Sequence, residues 1–132
     1  MTAMEIPAVS LDLGVLLGDW RNTNADGGIA RIVCSNAGSN AGDGDRIDVQ
    51  CYGRAGGDVK DWGTVSARVY AFTFDSHEAG AFNAVFHAGE EEVHMQANVK
   101  SGVLVVATFN EVRDRSGRTN YFDREFFHRI SK

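Results

Sequence analysis

The chain has a single proline, two cysteines and no long apolar run, and each shortage narrows what it can be. No segment approaches the roughly 20 apolar residues of a helical membrane span, so no membrane partner is expected. Basic runs are missing too: the 13 Lys and Arg are scattered through a chain of net charge −5. Nucleic acid and anionic lipid surfaces both need a concentrated positive field, so neither is an expected partner. Met1-Thr-Ala-Met-Glu-Ile-Pro7 has no basic stretch leading into an apolar segment; it does not read as a secretory signal, and a cytoplasmic location is expected.

Catalytic and metal motifs are equally scarce. There is no nucleophile elbow, Rossmann fingerprint, Cys-x-x-Cys or His-x-x-x-His. The glycines of 37–44 join two predicted strands rather than a strand and a helix, so they lack the context of a phosphate loop. His87 and His94 alone are too few to hold a transition metal, and Glu90-Glu-Glu92 reads as a solvated turn. No metal and no cofactor are expected. Cys34 and Cys51 fall in consecutive predicted strands; they are either a disulfide in an oxidising compartment or, more simply, two buried thiols.

What the chain does have is glycine, 15 of them, recurring between apolar runs where turns need residues tolerant of positive φ. With 132 residues and 43% hydrophobic side chains, it has the size and apolar content of one domain, 1–132, around one core. A short apolar lead-in, Val9 to Leu17, suits one helical turn or an irregular segment. Alternating apolar and polar residues then mark strands at Trp20–Asn24, Gly28–Ser35, Arg46–Gly53, Thr64–Phe72, Ala81–Ala88, Glu92–Val99, Val103–Val112 and Asn120–Ile130. Lys100-Ser-Gly102 fits a tight hairpin, Arg113–Thr119 centres on Ser116-Gly117, and 36–45 is a long polar loop. About eight short strands with local connections predict an all-β fold, an antiparallel up-and-down barrel whose closure removes exposed edges.

Parity sharpens the picture. Phe86 opposite Met95, Ala84 opposite Ala97 and Phe82 opposite Val99 give one continuous apolar face, which sets His87 opposite His94 on the other. The seventh strand is apolar on both parities: Val103, Val105, Ala107 and Phe109 on one, Leu104, Val106 and Val112 on the other. One face would line the interior and the other would pack on a second subunit, so self-association is a hypothesis.

Leu16-Leu-Gly-Asp-Trp-Arg-Asn22 carries a Gly-x-Trp at the start of the first strand, and here the chain resembles the calycins, the small barrels that include lipocalins, fatty-acid-binding proteins and avidins. The resemblance implies that Trp20 closes one end of the barrel with a basic residue of the last strand, Arg124 or Arg129, packed across it. Gly18, Trp20 and Asn22 also match the Gly-x-Trp-x-Asn of avidins, and Tyr52 matches a tyrosine of their third strand. Ala25-Asp-Gly-Gly28 replaces the ligand-contacting serine, however, and Trp62 is the only other tryptophan, so biotin is not the expected ligand. Fatty-acid-binding barrels hold a carboxylate with an arginine and a tyrosine near the chain end, residue types that Asn120-Tyr-Phe-Asp-Arg-Glu-Phe-Phe-His128 supplies at a different spacing.

The last strand carries two alternatives. If Phe122, Arg124, Phe126 and His128 face inward, Arg124 is an aromatic-walled anchor for an anion. The opposite parity turns Tyr121, Asp123, Glu125 and Phe127 inward, and two carboxylates in a closed space form an acid/base pair. The reading preferred on sequence is the first: a barrel binding a small, largely hydrophobic ligand with a polar or anionic end. Its expected contacts are Trp20, Asn22, Tyr52, Phe86, Met95, Thr108, Asn110, Arg124 and Phe126. The alternative is a small-barrel cyclase or isomerase acting on a hydrophobic metabolite, with His94, Asp123, Glu125 and His128 as acid/base candidates. A barrel packed with its own side chains is the third reading.

Overall fold

A computed structural model describes residues 11–37 and 45–132. Eight strands, β1 (Gly18–Asn22), β2 (Ile29–Asn36), β3 (Arg46–Ala55), β4 (Asp58–Ala71), β5 (Ala79–Ala88), β6 (Glu91–Lys100), β7 (Val103–Val112) and β8 (Tyr121–Ser131), follow one another around a closed barrel. Every neighbouring pair is antiparallel, and β1 closes the ring on β8. The architecture is the up-and-down barrel that the strand pattern predicts. Most of the expected loop 36–45 and the start of the lead-in, Val9 and Ser10, lie outside the described residues.

Alternation places one parity of each strand in the core. Ile32 and Cys34, Ile47, Val49 and Cys51, Phe82 and Phe86, Val93 and Met95, and Leu104 and Val106 are all nearly or fully buried. The lead-in forms one helical turn, with Leu16 and Leu17 N–H groups donating to the Leu13 carbonyl at 2.9 and 3.1 Å, and drives Leu16 into the core below Trp20.

Three features differ from expectation. First, β4 starts at Asp58 rather than at the expected Thr64; Ala55 pairs with Asp58 across a two-residue Gly56-Gly57 turn. Solvent-facing strands tolerate such polar residues because only one side of them needs to be apolar. Second, β5 and β6 pair two residues out of the expected register: Ala84 faces Met95 and Phe86 faces Val93, while His87 faces Glu92 and His94 faces Val85. The two-residue turn that joins Ala88 to Glu91 sets this register, and a shift of two keeps every side chain on its expected face.

Third, β8 has the parity that was not preferred. Asp123, Glu125, Phe127 and Arg129 turn inward, whereas Arg124, Phe126 and His128 are exposed on the outer surface. The cause is the closure of the ring: Trp20 and Arg129 are cross-strand partners, and Phe127, fully buried, completes the core beside them. The outer aromatics lie on the strip already made apolar by β7, with Val105 opposite Phe126 and Phe109 opposite Phe122.

Candidate functional site

The barrel has two unlike ends. At the first, the Trp20 indole donates a 2.9 Å hydrogen bond from Nε1 to the Leu16 carbonyl and is fully buried. The Arg129 guanidinium stacks 4.7 Å from the ring centroid and donates to the carbonyls of Gly14, at 3.2 Å, and Val15. This is the closure that the Gly-x-Trp resemblance implies, with Arg129 in the basic role and Arg124 outside it. Trp20 is thereby a plug of the closed end.

The second end is polar. Asn22, at the end of β1, turns inward and donates from Nδ2 to the Ile29 carbonyl at 2.8 Å and to the Glu125 carboxylate. Glu125 also hydrogen-bonds Asp123, two residues along the same face of β8. Both carboxylates are partly buried, and none of the ion pairs among the described residues involves either. Burial, reinforced by the Asp123 hydrogen bond, raises the Glu125 carboxyl to about 7, against the opposing effect of the Asn22 and Ile29 donors. The 25–28 turn lies over this pair. A side chain at Gly27 would collide with the Asn22 amide and the Glu125 carboxylate, and a Cβ at Gly28 would sit 3.4 Å from Glu125 Oε1.

Thr108 and Asn110 lie on the inner face of β7, both 5% exposed, and the Asn110 amide donates to Thr108 Oγ1 at 3.0 Å and to the Tyr121 carbonyl at 3.3 Å. Aromatic surface comes from Trp62. Its ring packs on the α-carbon of Gly53, where any side chain would clash, and lies 6.3 Å from Phe86. Gly63, at φ 92°, breaks the alternation of β4 and turns the preceding Trp62 toward the core. Strict alternation hides that inward turn; the signal for it in the sequence is the glycine beside the tryptophan.

The expected ligand contacts therefore divide. Trp20, Asn22, Phe86, Met95, Thr108 and Asn110 are interior, and Asn22 joins the carboxylate end; Phe86 and Met95 are core. Tyr52, Arg124 and Phe126 are outside: Tyr52 carries the Arg31 guanidinium 5.2 Å over its ring, and Arg124 lies 5.6 Å from the Phe126 ring. Of the acid/base candidates, the structure brings Asp123 and Glu125 together and separates His94 and His128 from them on the outer surface. Cys34 and Cys51 are free and buried, and burial pushes the Cys34 thiol up to about 12 and the Cys51 thiol higher still.

A second titratable cluster stands on the outside of β6 and β7. His94 Nε2 lies 2.8 Å from a Glu111 oxygen and 3.8 Å from a Glu92 oxygen, and these ligand-type atoms all fall within 4.8 Å of one another. Arg113 bridges both carboxylates, at 2.5 and 3.0 Å, and offsets half of their charge. Sequence reasoning missed the grouping because Glu111 reaches His94 only through the β6/β7 register. No protein-family model, no curated protein and no solved structure matches this chain.

Proposed function

We propose that the polar end of the barrel binds a small, largely apolar molecule through a cationic or hydrogen-bond-donating group. One observation carries this reading: Asp123 and Glu125 face inward together, and among the described residues no Lys or Arg forms an ion pair with them. Uncompensated, partly buried carboxylates favour a positive or donating group, and Trp62 supplies flat apolar surface at the same end. The anionic ligand end expected from an inward Arg124 is replaced by its chemical opposite. The calycin-like Gly-x-Trp closure supports a binding barrel of that general kind. A matched probe series of phenethylamine, phenethyl alcohol and 3-phenylpropionate, followed by ¹H–¹⁵N NMR, tests it. The amine should perturb the Asn22 and Trp62 side-chain resonances and the carboxylate should not; equal perturbation of these resonances by 3-phenylpropionate would refute the reading.

A second reading rests on Glu125 itself. A carboxyl near 7, hydrogen-bonded to a second carboxyl, is poised to give and take a proton at neutral pH, as a cyclase or isomerase requires. Native mass spectrometry of protein purified from its own source separates the two readings. A retained molecule recovered unchanged after incubation supports binding, and its conversion by the wild type but not by Glu125→Gln supports catalysis.

A further inference from the structure

The outer face of β5 to β8 carries a cavity of about 540 Å³, within the range of small-ligand sites, that is separate from the carboxylate end. Register explains its shape. One row across the sheet runs Asn83, Gln96, Ala107, Arg124, and the next runs Ala81, Asn98, Val105, Phe126. Ala81 and Ala107 are too short to fill the surface between longer neighbours, and the sheet dips there. Tyr70 closes one side, its hydroxyl accepting from the Asn83 amide at 3.2 Å, and Phe122 closes the other.

Among the described residues, Arg124 is the only ionic group lining this cavity, no acid lines it, and no ion pair includes Arg124. Asp123 and Glu125, its chain neighbours, point to the opposite side of the sheet. The guanidinium instead rests beside the Phe126 ring, which leaves its planar fork available for two parallel hydrogen bonds. A second copy of the chain fits this surface poorly, because a two-fold contact centred here would set Arg124 near its own counterpart with no lining acid to offset the repulsion.

We propose that this outer groove is a second binding site, specific for a small molecule with an apolar body and one carboxylate. The carboxylate would pair with Arg124, the amides of Gln96 and Asn98 would solvate it, and the apolar body would lie on Ala107, Val105 and Phe122.

The probe series tests both sites independently. 3-Phenylpropionate should shift the side-chain amide resonances of Asn83, Gln96 and Asn98, and phenethyl alcohol should bind there at least about tenfold more weakly, because it lacks the charge-assisted pair. Arg124→Gln should lose about the same factor with its thermal midpoint unchanged, since the side chain is exposed and unpaired. Ala107→Leu, which keeps Arg124 and fills the dip, should abolish binding. Equal affinity for alcohol and carboxylate, or full affinity in Arg124→Gln, would overturn the proposal. So would a dimer by light scattering that protects these amides from solvent. The Glu125 end is untouched by either variant, so a failure here is distinguishable from a failure there.

Discussion

Trp20 and Arg129 are cross-strand partners on β1 and β8, and the guanidinium carbon lies 4.7 Å from the indole centroid. That contact lies within the β1/β8 ladder that joins the first strand to the last, and it seals one end. It also determines that Asp123, Glu125 and Phe127, at even spacing from Arg129, face inward. Trp20→Ala should therefore cost about 3–5 kcal/mol, the loss of a fully buried ring. Arg129→Met, which keeps the apolar stem but not the cation, should cost about 1 kcal/mol. Urea unfolding measures both; near-neutral values for Trp20→Ala would show that closure does not depend on this contact.

Glu125 makes stability depend on pH. Its carboxyl sits at about 7 in the folded chain against 4.5 ordinarily, so between those values the folded state holds a proton that the unfolded chain releases. The stabilising protonation is fully present below about pH 4.5 and is lost as pH rises through 7. With allowance for solvent screening of a partly exposed group, the loss is roughly 1–2 kcal/mol. The difference in unfolding free energy between wild type and Glu125→Gln, followed from pH 5 to pH 8.5, should grow in favour of the glutamine variant. A constant difference would show that the carboxyl titrates normally.

Gly53 and Trp62 form a close-approach pair, with the indole packed where a side chain would project. Gly53→Val should displace the ring, red-shift its fluorescence and cost about 1–3 kcal/mol, while combining it with Trp62→Ala should recover part of that cost. Strict additivity of the two substitutions would contradict the packing.

Cys34 and Cys51 should resist an aromatic disulfide reagent in the folded protein, because both are buried and their thiols stay protonated far above neutral pH. Both should react at once in denaturant. Rapid labelling of the folded chain would show that β2 and β3 open readily.

The fold was legible because alternation and glycine turns say the same thing along β2 to β7, and local connections leave little choice of topology. The site was less so. In β8, Phe122 and Phe126 flank Arg124 on one parity, while Phe127 is accompanied by Asp123 and Glu125 on the other, and aromatic content favours the wrong one. Partnership decided it, through the pairing of Trp20 with Arg129 and of β7 with β8, and no local window of sequence contains that information. Trp62 is hidden similarly by the irregularity at Gly63, whereas Asn22, Thr108 and Asn110 face inward as expected because their parity is unbroken.

The most direct test of the carboxylate site is an NMR titration of phenethylamine into wild type and into the Asp123→Asn, Glu125→Gln double variant, each at pH 5.5 and pH 8. Binding to the wild type should strengthen at pH 8, as Glu125 loses its proton, and the double variant should bind about tenfold more weakly with no pH dependence. Affinity that is the same at both pH values and unchanged in the variant would contradict a carboxylate-anchored site.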